Sequence, residues 1–254
     1  MTSFKSTALI TGAGRRIGKA IALDLAAHGF QVAVHANSSR AEAEAVVETI
    51  RSDGGVAEVF VADLSDGKAV RQLHADVSAQ LGSPDLIVNN ASVFEDDDVR
   101  ALDEAVFDLH FAIHLKAPLI LAEAMANGLP KDRAGLIVNI IDQRVWRLTP
   151  RFFSYTLSKS ALWTATQTMA QALAPHIRVN AIGPGPTLAN ERQSEDDFAV
   201  QTKAVPLGHG PELAEFGATI RYLYQARSVT GQMIALDGGQ HLAWQTPDVA
   251  NIAE

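Results

Sequence analysis

The chain has 254 residues, 47% hydrophobic and 20% charged, and its 29 acidic against 21 basic side chains leave a formal net charge of −8. That size buries the core of one large α/β domain, and the ordinary composition excludes a disordered or collagen-like chain. The absence of cysteine excludes disulfides, thiol nucleophiles and thiolate metal sites, and the acidic balance is the opposite of what a nucleic-acid-coating protein carries.

The first apolar stretch is too short for a signal peptide and runs directly into a glycine-rich turn. No uninterrupted apolar run approaches the ~18 residues of a membrane span. The expectation is a cytoplasmic protein without membrane or nucleic-acid partners. The 8 histidines read as scattered along the chain, so no metal is expected.

Strand-like runs are predicted at Thr7–Thr11, Gln31–His35, Ala57–Ala62, Leu86–Asn89, Leu136–Ile141, Arg178–Ala181 and Met233–Leu236. Helical stretches fall between them, near 17–28, 40–52, 67–81, 101–127, 154–174 and 211–226. Strict alternation implies one domain over 1–254, a doubly wound parallel α/β sheet with right-handed crossovers and helices on both faces. Two segments break the rhythm. The acidic run Glu95–Asp98 reads as a solvated loop, and the polar, proline-rich stretch 183–210 reads as a loop covering the crevice.

After the first strand comes Thr11-Gly-Ala-Gly-Arg-Arg-Ile-Gly18, then a helix. Glycines let the backbone approach a pyrophosphate, and the helix start presents unpaired N–H groups to it. Gly12, Gly14, Arg15, Arg16, Ile17 and Gly18 are therefore candidate dinucleotide contacts. An NAD-binding unit carries a carboxylate at the end of its second strand. Here the strand ends in His35-Ala-Asn37-Ser38-Ser39-Arg40, with no acid and several donors. A 2′-phosphate suits such a site, which favours NADP(H). Arg40 either joins that site or merely opens a surface helix.

Tyr155 and Lys159 stand four apart on a predicted helix and share a face. An ammonium beside a phenol is expected to lower its pKa toward working pH, making it an acid or base. Asp142 follows a strand carboxyl end, where ligands bind in such sheets.

Thr11-Gly-x-x-x-x-x-Gly18, Asn89-Asn-Ala91, Tyr155-x-x-x-Lys159, Arg178-Val-Asn180 and Pro184-Gly185 together resemble the short-chain dehydrogenase/reductase family. The resemblance implies a Rossmann-type sheet of about seven strands, nicotinamide hydride transfer and a homotetramer. It implies that Tyr155 donates the proton while Lys159 holds the nicotinamide ribose and tunes the phenol. It also implies that Asp63 meets the adenine, that Asn89 supports the cofactor, and that Leu64, Asn90, Ala91, Ser92, Pro184 and Gly185 complete the cofactor site.

Three departures from the family's common pattern resemble its pteridine reductase branch: Arg16 for glycine, Asp142 for serine and Asn90-Ala-Ser92 for Asn-Ala-Gly. Phe94, two residues beyond Ser92, matches the residue that stacks on the pterin in that branch. The resemblance assigns Arg16, Ser92, Phe94, Asp142 and Tyr155 to the substrate. Asp237-Gly-Gly-Gln-His-Leu242 and His114 resemble the bacterial dihydromonapterin reductases.

His114 stands where the family's relay asparagine would be, and is either its replacement or a packed helix histidine. Trp244 either reaches a neighbouring subunit's site or fills an interface. The functional expectation is NADPH-dependent reduction of a pterin. The alternatives are carbonyl reduction and a non-catalytic NADP-binding scaffold.

Overall fold

A computed structural model of the chain describes residues 6–189 and 193–244. Seven strands, β1 (Thr7–Ile10), β2 (Gln31–Ala36), β3 (Val56–Val61), β4 (Leu86–Asn89), β5 (Gly135–Ile140), β6 (Ile177–Pro184) and β7 (Met233–Leu236), form one sheet in the order β3-β2-β1-β4-β5-β6-β7. Every ladder is parallel. β1, β4 and β5 are buried along their whole length, which explains their almost unbroken apolar sequence.

Alternate strand residues enter two cores. Ile10, Val34, Val88 and Val138 pack with α1 (Arg16–Ala27), α2 (Arg40–Ser52) and α8 (Leu213–Gln225). Leu9, Ile87 and Ile137 pack with α3 (Gly67–Leu81), α5 (Ala117–Gly128) and the end of α6 (Phe153–Leu173). The chain winds outward in opposite directions from β1 and β4, so a crevice opens beyond their carboxyl ends.

The helical stretch predicted near 101–127 is two helices, α4 (Glu104–Phe111) and α5, joined by a π turn at Ala112–Lys116. Pro118 has no N–H for the carbonyl of His114, so an ordinary α-helical ladder cannot continue through this point. Within Glu104–Gly128 an 18-residue stretch has a mean hydropathy of 1.4, enough by length and composition for a bilayer span although polar residues interrupt the apolar run. In this fold the segment packs against α3 and α6 and buries His110 and His114.

The acidic run is not simply a solvated loop. Asp97 is buried, and its carboxylate accepts the Ser154 N–H at 3.0 and 3.1 Å, holding the start of α6. β6 runs past the predicted end at Ala181 because Ala181–Pro184 pair with Met233–Leu236. Within 183–210 lies a helix that sequence reading did not resolve, α7 (Glu195–Lys203). Ser194 caps it and three acids fill its first turn, but it buries no residue and so leaves no apolar period to detect.

Arg178 and Asn180 act structurally. Arg178 donates to the carbonyls of Tyr224, Ala226 and Val229, and Asn180 donates to Val229, securing the approach to β7. A buried polar string links β4 to α6: Asn89 donates to Asn139 at 2.8 Å, and Asn139 donates to Thr166 at 2.8 Å. Asn139→Ala removes the acceptor of the buried Asn89 amide and one of the two hydrogen bonds at Thr166, which still donates to Leu162, and is expected to cost about 2–4 kcal/mol. Chemical denaturation measures this loss, and a value below about 1 kcal/mol would show that the string does not tie the elements together.

Candidate active site

The glycine loop leaves β1 and is knotted to the end of β4. Asn90 Nδ2 donates to the carbonyls of Thr11 and Gly12 at 2.9 and 3.0 Å. Thr11 Oγ1 accepts the N–H groups of Asn90 and Ala91 at 2.9 and 3.0 Å. A Cβ at Gly18 would lie 2.2 Å from the Gly12 carbonyl oxygen, so only glycine lets α1 start this close. Gly12 lies at φ +63°, and Gly14 packs against the start of α2.

Arg16 is the loop's exception, a non-glycine residue at φ +53°. Left-handed backbone costs a side chain about 1 kcal/mol or more, the physical reason a glycine would fit here. Its guanidinium donates to the carbonyls of Leu188 and Ala189 at 3.1 and 2.9 Å. The loop is thereby tied to the segment beyond β6.

His35 does not face the crevice. Its Nδ1 accepts the Gly12 N–H at 3.1 Å and its Nε2 donates to the Ala62 carbonyl at 3.0 Å, so it supports the glycine loop from behind. Burial lowers its pKa to about 4 and keeps it neutral. Asn37 and Ser38 are exposed beyond β2, with Ser39 half-buried at the start of α2. Arg40 pairs with Glu44 at 2.7 Å, which supports its surface-helix reading.

Asp63 accepts from the backbone and side chain of Ser65, which lowers its pKa, and the neighbouring Leu64 is buried. Asn89 is engaged with Asn139 inside the sheet rather than turned to the crevice. Gly185 lies against Asp237, with its N–H donating to Leu236, while Pro184 ends β6. Ile17 packs at the margin of the core.

Tyr155, Asp142, Phe94 and Ser92 converge at the crevice. The Tyr155 hydroxyl donates to Asp142 Oδ2 at 3.0 Å. Phe94 meets the Tyr155 ring edge to face, with centroids 4.8 Å apart. Phe152 stacks on Phe94 at 4.1 Å, and the Arg144 guanidinium lies 5.5 Å from the Phe94 centroid.

The phenol's pKa moves opposite to the sequence expectation. Burial raises it well above 10.0, and the Asp142 carboxylate adds to the rise, while Arg144 and a Ser92 hydrogen bond oppose it. Lys159 Nζ donates to the Ile140 carbonyl at 2.9 Å and lies 5.7 Å from the tyrosine ring centroid. Its own pKa falls to about 8 because burial disfavours the ammonium, with Asp142 opposing that fall.

His114 is hydrogen-bonded at both nitrogens: Nδ1 lies 2.8 Å from Ser158 Oγ and Nε2 lies 2.9 Å from Ser92 Oγ. The sequence reading did not assign Asp97, His110, Arg144, Phe152, Ser154 or Ser158. The matched four-residue spacings of His110 with His114 and Ser154 with Ser158 carried a detectable helical signal. Beyond Asp142 is a polar cleft of about 120 Å³ lined by Gln143, Arg144, Thr187, Gln193 and Gln240 among others. Trp244 is 76% exposed in the single chain, whereas Gln245 lies outside the described residues.

The short chain dehydrogenase family model matches residues 6–198. The structure of FolM Alternative dihydrofolate reductase 1 from Brucella canis, complexed with NADP, is 60% identical with a TM-score of 0.95, covering 97% of this chain and 98% of that one. A blue fluorescent protein from a metagenomic library, in complex with NADPH, is 30% identical with a TM-score of 0.86, covering 92% and 97% of the two chains. The 3-oxoacyl-(acyl-carrier-protein) reductase FabG of Staphylococcus epidermidis is 32% identical over 93% of this chain and 99% of its own length.

Arg16→Gly relieves the left-handed strain but releases Leu188 and Ala189. Its expected result is unchanged or slightly higher thermal stability with a severalfold weaker NADPH Kd, measured by fluorescence titration; unchanged affinity would show that the tie is idle. Removing the buried ammonium with Lys159→Met is expected to stabilise the cofactor-free protein at pH 7 by about 1–3 kcal/mol. In the wild type this penalty is present below pH 8 and fades as pH rises toward the ordinary lysine value of 10.5. The stability gap between the proteins therefore narrows over that interval in denaturation measurements.

Proposed function

The chain belongs to the short chain dehydrogenase family, and we propose that within it this protein is an NADPH-dependent reductase of a dihydropterin or dihydrofolate. The carrying observation is the Tyr155–Asp142 hydrogen bond beside Phe94. The 60% identity to a protein named as an alternative dihydrofolate reductase, complexed with NADP, supports the reading.

The chain's residues fit the cofactor. A Cβ at Gly18 would fill the cradle at the start of α1, and β2 ends without the carboxylate used for an NAD ribose. Backbone N–H groups from Gly14 to Gly18 would hold the pyrophosphate, with those of Gly12 and Ala13 already given to His35. Arg15, Asn37, Ser38 and Ser39 would surround the 2′-phosphate, Arg16 would reach the phosphates from the opposite side, and Lys159 would hold the nicotinamide ribose. Asp63, Leu64, Asn90, Ala91, Ser92, Pro184 and Gly185 would line the remaining length. When bound, NADPH supplies the hydride.

Reduction of a ring C=N bond also needs a proton at nitrogen. Tyr155 retains its proton because the phenolate would be buried beside a carboxylate, so the phenol serves as acid. Asp142 accepts the phenolic hydrogen bond and stands ready to exchange protons with it, a task beyond the hydrogen bonding of serine. Phe94, backed by Phe152, presents an aromatic surface to a planar ring, Ser92 lies beside Tyr155, and Arg16, tied to Leu188 and Ala189, would reach the same site. The polar cleft beyond Asp142 would receive the substrate's substituent. A homotetramer in the cytoplasm is the setting implied by the resemblance.

Carbonyl reduction is the second reading, favoured by the 32% identity to FabG and compatible with the Tyr155–Lys159 pair. Cofactor oxidation with dihydropterins and dihydrofolate, run beside acetoacetyl thioesters and simple ketones, separates the two. Turnover is expected with the pterins, and turnover confined to carbonyls would overturn the proposal. Asp142→Ser is expected to lower kcat/KM for the pterin by about 100-fold, with NADPH Kd within about twofold. Unchanged turnover would remove Asp142 from the proton path.

A further inference from the structure

Opposite Tyr155, α4 and the π turn present two imidazoles one helical turn apart. The His110 and His114 rings stack with centroids 5.4 Å apart and planes 18° apart, close to the rise of about 5.4 Å for an α-helical turn. Both are buried, at 0% and 1% exposure. Each bridges the same two elements. His110 Nδ1 lies 2.6 Å from Ser154 Oγ, and His114 Nδ1 lies 2.8 Å from Ser158 Oγ. On the other side, His110 Nε2 accepts the Glu95 N–H at 3.3 Å and His114 Nε2 accepts the Val93 N–H at 3.2 Å.

These backbone N–H groups identify the proton-bearing nitrogens. A backbone amide can only donate, so both Nε2 atoms are acceptors and, in the neutral rings, both Nδ1 atoms carry hydrogen. Ser158 agrees, because its hydroxyl already donates to the Tyr155 carbonyl at 2.8 Å and has a lone pair left for His114. Neutrality has a physical cause. Burial lowers both pKa values, the Lys159 ammonium lowers both further, and His110 lowers His114; Asp97 and Glu95 oppose this at His110, and the Val93 hydrogen bond opposes it at His114.

The segment gripped by the Nε2 atoms runs through Ser92 and Phe94. The serines gripped by the Nδ1 atoms flank Tyr155 on α6. We propose that His110 and His114 are paired positioning residues, neutral Nδ1–H imidazoles that fix the Ser92–Glu95 segment at a set distance from the catalytic helix. They thereby fix the edge-to-face seating of Phe94 on Tyr155, whose centroids are 4.8 Å apart, and with it the aromatic wall offered to the substrate. The identification of that substrate as a pterin rests on the reading above, but the ladder itself does not.

Asparagine and glutamine substitutions separate the two sides of each rung. Asparagine places its side-chain amide near Nδ1, whereas glutamine reaches the position of Nε2. His114→Gln therefore retains an acceptor for Val93 and Ser92, and His114→Asn retains a donor for Ser158. The expected result is a substrate KM about 10-fold higher in His114→Asn, with kcat and NADPH Kd within about threefold. His114→Gln should stay within about threefold of wild-type KM. His110→Asn and His110→Gln are expected to show the same split, with a smaller rise. Equal KM changes in each pair would overturn the proposal, even if both variants lose thermal stability.

Nitrogen-15 NMR of the histidine rings in the wild-type protein provides a readout independent of folding of the variants and of turnover. His110 and His114 are expected as Nδ1–H tautomers. His35, which accepts the Gly12 N–H at Nδ1, supplies the Nε2–H contrast in the same spectrum. An Nε2–H tautomer at either proposed rung would overturn the proposal. Kinetics are run with a dihydropterin and with an acetoacetyl thioester. If only the thioester turns over, the pterin reading fails, while its KM split and the tautomers still decide the ladder.

Discussion

The packing of the glycine loop against the end of β4 is the constraint on which the site depends. Two carbonyls, Thr11 and Gly12, converge on Asn90 Nδ2, while Thr11 Oγ1 accepts the next two backbone N–H groups. A strand end would otherwise leave these polar groups unsatisfied at the sheet's switch point. The contact leaves no room for a Cβ at Gly18 and fixes where α1 begins. It also sets the direction of the chain through Ser92 and Phe94. The proposed cofactor cradle and the proposed substrate wall thus issue from one hydrogen-bonded junction.

The second organising element is α6. Its start is held by the Asp97 carboxylate, its first two turns carry Tyr155 and Lys159, and Thr166 joins the buried string to Asn139 and β4. Lys159 is therefore more than a charge near a tyrosine. Its bond to the Ile140 carbonyl holds the ammonium at the carboxyl end of β5, despite a desolvation penalty that lowers its pKa. Such a group is retained against stability, as expected of a residue kept for function. Asp142 acts in the opposite sense on the phenol, keeping it protonated. The two shifted groups, a phenol that keeps its proton and a buried ammonium, stand about one helical turn apart.

Most of the fold was legible because its signals are local. All seven strands and the six longer helical stretches were predicted, with ends displaced by a few residues. The errors have identifiable causes. Pro118 interrupts the helical ladder without disturbing apolar spacing, so the split at the π turn was invisible. α7 buries nothing and has no apolar face. In the site, Tyr155, Lys159, Asp142, Ser92 and Phe94 were selected together and the structure brings them together. For His35, a candidate cofactor contact by its place at the end of β2, the position was visible in the sequence but the ring direction, behind the glycine loop, was not.

By itself, the sequence determined the parallel α/β order, the glycine turn, the missing acid after β2 and the shared face of Tyr155 and Lys159. These features depend on spacing within an element or on an adjoining turn. Only the tertiary structure decided the Arg16 tie to Leu188 and Ala189, the burial of Asp97, the histidine rungs to Ser154 and Ser158, and the raised pKa of Tyr155. Each depends on groups brought from distant positions and on exclusion of water around them. Local periodicity encodes which way a side chain faces, but its hydrogen-bond partner and its protonation state are set by what packs across from it.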